Sequence, residues 1–272
     1  MVQNIYPFLF NDITGLAFNE KLRLGIQRLE SIKALKRANR IIVTSNFIKD
    51  FLTKKLAIPV EKVSLVYFGR DSLVRGVTKP VGLISGLEKN FLFTAGSLES
   101  YRGTEDVIGA ARYLKNDLPG LKIVIAGEAR DGAVKYHKKF LELVKLYDLN
   151  RDVIWAGQLS QNELAWCYQN CTVFISTSRM ETFGMVNLEA MSNGCLCIAA
   201  QNPPLPEIFG DSAYYYSPKD SRSLANAIKN VLSWNNEKKL EMADKAKKRA
   251  EYFSWDKAAD GLIKECQTAI KS

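Results

Sequence analysis

The chain has 272 residues, of which 47% are hydrophobic and 25% charged, and its formal net charge is +9 at pH 7. Its length suggests about two domains, and its hydrophobic content excludes an intrinsically disordered chain. No apolar run reaches the roughly 18 residues that a membrane-spanning helix requires, and the first residues lack the basic stretch of a signal peptide.

Positive charge is concentrated in the N-terminal part. Residues 1–71 hold twelve Lys and Arg against six Asp and Glu, so +6 of the net charge lies there. Such a balance favours anionic partners such as phosphate groups or an acidic membrane surface. Basic and aromatic residues do not alternate as they do on a nucleic-acid-binding surface, so we expect no nucleic acid partner.

The five cysteines and the single histidine do not suggest a metal site. Structural zinc sites need four Cys or His ligands at regular spacing, and no such set is present, so no metal is expected. Cys195 and Cys197 lie in an apolar run, and we expect buried or idle thiols in a reducing compartment. His137 is expected on the surface of a helix.

The first predicted element is a basic amphipathic helix at residues 18–38. Its apolar positions recur at helical spacing, at Leu22, Ile26, Leu29, Ile32 and Leu35. One interpretation is a helix packed on a sheet with a solvated basic face. The other is a helix that lies on an anionic membrane surface.

Strands at residues 40–46 and 61–67 flank a predicted helix at 47–55, and the irregular stretch 72–90 is read as a domain junction. Further strands are predicted at 91–96, 122–127, 152–157, 172–176, 195–200 and 213–217. Helices are predicted at 104–115, 134–147, 161–169, 187–193, 221–234, 237–252 and 255–270, with a short one around Pro206 and Glu207. Six apolar strands alternating with helices predict an α/β fold with a doubly wound parallel sheet.

Three of these strands end in glycine, at Gly96, Gly127 and Gly157. Parallel sheets bind ligands at the carboxyl ends of their strands, and glycine lets a ligand approach the backbone closely. Glycine can also simply end a strand. Three glycines at equivalent strand ends nevertheless favour a site along that edge.

The stretch ETFGMVNLEAMSNG, residues 181–194, places Glu181 in a loop and Glu189 in the following helix, eight positions apart. The helix begins between them, and its free N–H groups and dipole suit a phosphate. Carboxylates accept hydrogen bonds from sugar or ribose hydroxyls. The arrangement therefore suits a phosphorylated carbohydrate, although a helix with two surface acids would have the same spacing.

Several motifs in order resemble a family 4 glycosyltransferase of the GT-B architecture, over about residues 38–262. The Glu181-x7-Glu189 element, the strand CLCIAA followed by Pro206-Glu207, and FLFTAGSL followed by YRGTEDVIGAA carry the likeness. RIIVTSNFIKDFL, VSLVYFGRD and FSWDKAA extend it on both sides. The resemblance implies a Rossmann-like donor-binding domain at 72–254 and a partial N-terminal, acceptor-side domain with linker at 1–71. It also implies a helix at 255–272 that crosses back to the N-terminal domain.

The resemblance also implies the site. Glu189 would bind the ribose, Glu181 the donor sugar, and Arg102 would neutralise the departing diphosphate. Gln158 would lie near the base. The other implied donor-binding positions are Gly96, Ser97, Gly127, Phe183, Gly184, Met185 and Val186.

This sequence departs from the family pattern in two places. Ser97 stands where the family commonly has Arg, and Arg130 is the candidate substitute. Only about 70 residues precede the linker, so the chain resembles an N-terminally truncated member.

The expected function is a retaining glycosyltransferase that uses a nucleoside diphosphate sugar, no cofactor and no metal, and a glycan or lipid-linked acceptor. It is expected to be cytoplasmic, or peripheral at the inner membrane face. The first alternative is a nucleotide-sugar-binding subunit or pseudoenzyme whose partner chain supplies the missing N-terminal domain. A dinucleotide-dependent oxidoreductase is less favoured because GSLESYRG lacks the G-x-G-x-x-G pattern.

Overall fold

The computed structural model describes residues 1–2, 5–9, 18–70, 76–81, 83, 87, 90–128 and 134–271. The chain divides into two compact units. The smaller unit comprises Met1–Arg70, Met180–Gly184 and Phe253–Ser272. The larger unit comprises Asp71–Arg179 and Met185–Tyr252.

Helices and strands are assigned within the described residues. The strands are β1 (Ile41–Val43), β2 (Val63–Leu65), β3 (Phe91–Ala95), β4 (Lys122–Ala126), β5 (Val153–Gly157), β6 (Val173–Ser176), β7 (Cys197–Ala200) and β8 (Ala213–Tyr216). The helices are α1 (Tyr6–Leu9), α2 (Phe18–Arg37), α3 (Asn46–Asp50), α4 (Thr104–Leu114), α5 (Val134–Leu146), α6 (Gln161–Asn170), α7 (Met185–Ser192), α8 (Leu205–Phe209), α9 (Ser221–Ser233), α10 (Asn236–Glu251) and α11 (Trp255–Lys271). Short helical turns lie at Phe51–Lys55, Val60–Lys62 and Ser100–Arg102.

The larger unit is built on a parallel sheet with the strand order β5-β4-β3-β6-β7-β8. Phe93 pairs with Val124 of β4 on one side and with Phe174 of β6 on the other. Side chains of the central strands are buried on both faces, as the continuous apolar runs required. The prediction of six parallel strands is confirmed. The order reverses between β3 and β6, and in such sheets this switch point opens a crevice at the carboxyl ends of the strands.

The strands predicted at 40–46 and 61–67 are shorter, at Ile41–Val43 and Val63–Leu65. Two boundaries in the larger unit were also wrong. Helix α7 begins at Met185 and not at residue 187, because Gly184 adopts a φ of +95° and turns the chain directly into the helix. Strand β7 begins at Cys197 and not at residue 195. The N–H group of Cys195 donates to the carbonyl of Ala190 at 3.1 Å, which closes the C-terminal turn of α7 and removes Cys195 from the sheet ladder.

His137 lies on α5 and is partly exposed, because its ring stacks on Trp155 with centroids 4.9 Å apart. Cys167, Cys195 and Cys197 are buried free thiols, as expected. Burial raises the pKa of Cys167 to about 12, which keeps this thiol neutral and unreactive. Cys171 is half-buried, and Cys266 is exposed.

The smaller unit contains the parallel pair β1 and β2, and Val2 bridges to Val43 of β1. Phe183 is 1% exposed. It lies in an aromatic cluster with Tyr67, Phe68 and Phe253, at centroid distances of 6.2, 5.5 and 5.4 Å. These rings anchor the segment Met180–Gly184 within the smaller unit.

Helix α2 of the smaller unit buries Leu24 and Leu35. The predicted packed face is wrong for Leu22, Ile26 and Leu29, which are 57%, 51% and 62% exposed. Phe18 is 79% exposed and precedes them at the same helical spacing. An apolar stripe therefore faces solvent on a basic helix. Among the residues described, none of the helices is both long and apolar enough to span a bilayer.

An ion pair inside the smaller unit gives a pH prediction. Glu265 lies within 2.7 Å of the Arg40 Nε atom. Burial acts to raise the pKa of Glu265, but the bonds from Arg40 and Ser64 outweigh it and lower this pKa. A carboxyl group whose pKa is lower in the folded state than in the unfolded state stabilises the fold at pH values above its unfolded pKa. This stabilisation is lost as the pH falls through the folded-state pKa.

We therefore expect the free energy of unfolding of Glu265→Gln to fall less than that of wild type as the pH is lowered from about 5 to about 3. Chemical unfolding at both pH values measures it, with the exposed Glu237→Gln as the control. If the free energy of unfolding fell by the same amount in wild type and in Glu265→Gln, the proposed contribution of the Arg40–Glu265 ion pair would be wrong.

Candidate functional site

A cleft opens in the larger unit at the carboxyl ends of β3, β4 and β6, and it spans about 330 Å³ of space that is partly open to solvent. It therefore lies at the switch point of the sheet. Its lining residues are mostly small or hydroxyl-bearing: Thr94, Ala95, Gly96, Ser97, Arg102, Thr104, Ile125, Ala126, Phe174, Ser176, Thr177, Ser178 and Val186. Polar groups converging at a switch-point crevice are typical of a ligand site.

The three predicted strand-end glycines lie side by side on adjacent strands. The Gly96 N–H group donates to Ala126 at 3.0 Å, and the Gly127 N–H group donates to Gly157 at 2.7 Å. All three have positive φ, at +144°, +137° and +65°. A Cβ atom on Gly127 would lie 1.8 Å from the carbonyl oxygen of Gly96. This edge is thus bare backbone, which we call the glycine shelf (Gly96, Gly127 and Gly157).

Arg102 supplies the positive charge among the cleft-lining residues. It ends the short turn before α4, and its Nη1 atom donates to Ser178 Oγ at 3.2 Å. The Thr177 hydroxyl donates to the Arg102 carbonyl at 2.6 Å. Ser97 also lines the cleft, whereas Arg130 lies outside the described residues. The structure thus brings together Gly96, Ser97, Arg102 and Val186.

Behind the loop that carries Arg102 lies a half-buried cluster of one arginine and two carboxylates that the sequence did not reveal. The Arg179 guanidinium donates to Glu105 Oε1 at 2.7 Å and to Asp106 Oδ1 at 3.0 Å. Burial raises the pKa of Asp106, although Arg179, Tyr216 and the Lys219 N–H group oppose the rise. Burial acts to lower the pKa of Arg179, but the two carboxylates outweigh it and raise this pKa.

Glu189 is half-buried on α7 and has a fixed hydrogen-bond donor. The Tyr168 hydroxyl donates to Glu189 Oε2 at 3.0 Å. Burial and the nearby charge of Glu189 raise the pKa of Tyr168 well above its ordinary value, so the hydroxyl keeps its proton.

The remaining predicted positions are spread over the two units. Glu181, Phe183 and Gly184 belong to the segment Met180–Gly184 of the smaller unit. Met185 begins α7 in the larger unit, and Val186 lines the cleft. Gln158 is exposed directly after Gly157 at the end of β5.

Thr177, Ser178 and Thr104 line the cleft but were not predicted. The sequence did carry one signal for them, since Ser176-Thr-Ser follows an apolar strand and polar residues at strand ends are typical of sites. Nothing in the sequence pairs Arg179 with Asp106, because these residues are 73 positions apart.

The family profile described as "Glycosyl transferases group 1" matches residues 81–249. The O-antigen chain mannosyltransferase RfbU of Salmonella typhimurium is 24% identical over 232 residues, which cover 85% of this chain and 59% of that protein. A D-inositol 3-phosphate glycosyltransferase of Corynebacterium aurimucosum is 26% identical over 198 residues, covering 71% of this chain and 46% of that protein. The chain therefore spans about half the length of these relatives.

Solved structures share the fold. The crystal structure of Anabaena HepE in complex with UDP and glucose matches with a TM-score of 0.76 and 21% identity, covering 87% of this chain and 65% of that chain. Sucrose-phosphate synthase of Thermosynechococcus elongatus matches with a TM-score of 0.77 and 21% identity, covering 98% and 66%. The larger unit thus has the Rossmann-like fold of GT-B glycosyltransferases. Because the family profile covers more than half of the chain, including the whole six-stranded sheet, the chain belongs to the group 1 glycosyl transferase family.

Proposed function

We propose that the larger unit binds a nucleoside diphosphate sugar and presents it for glycosyl transfer. The observation that carries this proposal is the cleft at the switch point, in which Arg102 lies among hydroxyl side chains beside the glycine shelf. A guanidinium among hydroxyl donors suits a diphosphate. The Anabaena protein of the same fold was crystallised with UDP and glucose, which supports a donor of this class.

Each residue has a proposed role. When the bond between the sugar and the diphosphate breaks, negative charge grows on the leaving oxygen, and Arg102 stabilises that charge. Glu189 accepts hydrogen bonds from the ribose hydroxyls, with Tyr168 holding its carboxylate. Glu181 accepts hydrogen bonds from the donor sugar. The free N–H groups at the start of α7 add to the positive potential.

We propose transfer with retention of configuration, without metal or cofactor, to a glycan or lipid-linked acceptor. The family resemblance supports these finer assignments. The name of one relative, the O-antigen chain mannosyltransferase RfbU, supports a glycan acceptor. In this proposal residues 72–254 form the donor domain. Residues 1–71 and 255–272 belong to the acceptor side.

The alternative is a nucleotide-sugar-binding subunit or pseudoenzyme that needs a partner chain. Ser97 favours it, because a serine in place of the usual arginine leaves a smaller positive charge for the diphosphate. Donor binding without transfer by the isolated chain, and transfer after addition of an N-terminal domain of a relative, would identify this alternative.

The first test is calorimetric titration of the chain with UDP, GDP, ADP and NAD in EDTA. We expect saturable binding of one nucleoside diphosphate. Arg102→Ala should weaken that binding about ten- to hundredfold, and change binding of the matching nucleoside far less, because its charge meets the phosphates. The control is Arg151→Ala, since Arg151 is an exposed arginine of the same unit. Binding of NAD alone, or equal losses for diphosphate and nucleoside, would contradict the proposal.

We also propose that helix α2 docks on an anionic membrane surface. Phe18, Leu22, Ile26 and Leu29 form one exposed stripe along this helix. Six basic residues accompany the stripe against two glutamates: Lys21, Arg23, Arg28, Lys33, Lys36 and Arg37. An apolar stripe with basic flanks is the pattern of a helix lying in the membrane interface. This placement would keep the protein peripheral at the cytoplasmic face.

Vesicle co-sedimentation tests this docking. We expect binding to vesicles of phosphatidylcholine with phosphatidylglycerol, weaker binding to phosphatidylcholine alone, and loss of binding in the double variant Leu22→Ser/Ile26→Ser. The matched control is Ile263→Ser/Ile270→Ser, which alters two exposed isoleucines of α11 in the same unit. Equal loss in both variants would contradict the proposal. So would a chain that stays in solution and self-associates through the stripe.

A further inference from the structure

We propose that Arg179 and Asp106 form a half-buried clamp that positions Arg102 for the donor diphosphate. This inference rests on the donor-binding function proposed above and adds positioning residues to it. The clamp consists of Arg179, Asp106, Glu105 and Thr177, all within the larger unit.

The loop that carries Arg102 lies directly on the segment 177–179. The Arg179 N–H group donates to the Tyr101 carbonyl at 2.8 Å, and the Thr177 hydroxyl donates to the Arg102 carbonyl at 2.6 Å. The Arg102 guanidinium itself donates to Ser178 at 3.2 Å. Both the backbone and the charged group of Arg102 therefore take their position from three consecutive residues after β6.

The segment 177–179 is fixed in turn by the ion pair. Arg179 uses two guanidinium nitrogens, one for Glu105 and one for Asp106, in the first turn of α4. Asp106 has a side-chain exposure of only 4%. Its second oxygen accepts hydrogen bonds from the Tyr216 hydroxyl at 3.0 Å and from the Lys219 N–H group at 3.1 Å. The carboxylate is therefore held from β8 as well as by Arg179.

No space separates the two loops. A Cβ atom added to Gly103 would lie 2.5 Å from the Thr177 carbonyl oxygen and 3.3 Å from Arg179 Nε. Gly103 also has a φ of +67°, which favours glycine. Because the loops touch through backbone atoms, a shift of residues 177–179 must move Arg102.

Arg179 is not among the cleft-lining residues, whereas Arg102 is. Glu105 and Asp106 are not among them either, whereas Thr177 of the clamp does line the cleft. The ion-paired residues Arg179, Asp106 and Glu105 therefore act on the ligand only through the loop that carries Arg102. A planar, bidentate guanidinium fixes the distance and the angle between the segment and α4, which a lysine ammonium would not do. A comparison of arginine with lysine at position 179 therefore distinguishes positioning of Arg102 from mere neutralisation of the two carboxylates.

The test is a double-mutant cycle on the full chain, with UDP, GDP and ADP as probes and uridine, guanosine and adenosine as their nucleoside counterparts. For the diphosphate that wild type binds, Arg179→Met should weaken binding about tenfold and nucleoside binding less than about twofold. In the Arg102→Ala background, Arg179→Met should have no further effect, because its action runs through Arg102. Arg179→Lys should bind the diphosphate almost as weakly as Arg179→Met does.

Thr177→Val is the second variant, because it removes one hydrogen bond to the Arg102 carbonyl and keeps the side-chain shape. It should also weaken diphosphate binding selectively, and it keeps the test open if Arg179→Met does not fold. Because Thr177 also lines the cleft, the variant is measured in the Arg102→Ala background too, where it should have no further effect. If Arg102→Ala weakens diphosphate binding but the folded clamp variants do not, or if their effects add to it, the clamp is wrong and donor binding stands. If Arg102→Ala has no effect either, the donor-site assignment itself fails.

Discussion

Replacing Glu189 with alanine is expected to weaken nucleoside diphosphate binding by roughly 1–3 kcal/mol, because the ribose hydroxyls would lose their acceptor in a partly buried site. Isothermal calorimetry with the diphosphate that wild type binds measures the loss. Tyr168→Phe should give a smaller loss of the same kind. It removes only the hydroxyl that donates to Glu189 and leaves the ring packed on Phe93 and Phe174.

The matched control is Glu142→Gln, an exposed glutamate on α5 of the same unit. A 2′,3′-dideoxy nucleoside diphosphate provides a second control, because it lacks the hydroxyls that Glu189 would bind. Wild type and Glu189→Ala should then bind it equally. Full affinity of a folded Glu189→Ala protein for the unmodified diphosphate would remove Glu189 from the site.

Gly127→Ala is expected to lower the free energy of unfolding by at least about 3 kcal/mol and to abolish donor binding. The new Cβ would lie 1.8 Å from the Gly96 carbonyl oxygen, so backbone must move. The φ of +137° adds strain for any side chain. Chemical unfolding and calorimetric titration of the same preparation give both readouts.

Gly120→Ala is the control that separates the effect of the close Cβ contact from the effect of backbone strain at a positive φ. Gly120 also has a positive φ, of +84°, but no atom lies within 4 Å of its added Cβ. We expect this control to cost about 1 kcal/mol and to leave donor binding intact. If Gly127→Ala behaves like Gly120→Ala, the glycine shelf does not depend on close backbone contact.

The sheet could be predicted because the central strands of the larger unit are buried on both faces. A run such as Phe91–Ala95 or Val173–Ser176 is then continuously apolar and stands out between helical patterns. The strand-end glycines could be predicted for a related reason, since a strand that meets a ligand or a neighbouring loop with bare backbone needs glycine there.

Helix periodicity was less informative for α2. The spacing of Leu22, Ile26 and Leu29 identifies one face of a helix, but it does not say whether anything covers that face, and the structure leaves these residues exposed.

The clamp could not be predicted from the sequence, for another reason. Its hydrogen bonds join Arg179 to residues 73 and 74 positions earlier, and no local pattern reports a contact that only the sheet topology creates.

The strand order also determines the distance between the loops that are proposed to bind the two ends of the donor nucleotide. Arg102 and Ser97 lie by the end of β3, whereas Gln158 follows β5, and β4 is the one strand between them. Neighbouring strands are about 4.8 Å apart, so two spacings measure roughly 10 Å. This is about the reach of a nucleotide from its phosphates to its base. The proposed function therefore assigns charge recognition and base recognition to different loops of the same sheet. We expect that a change in the loop after β5 alters which base is accepted and leaves phosphate binding unchanged.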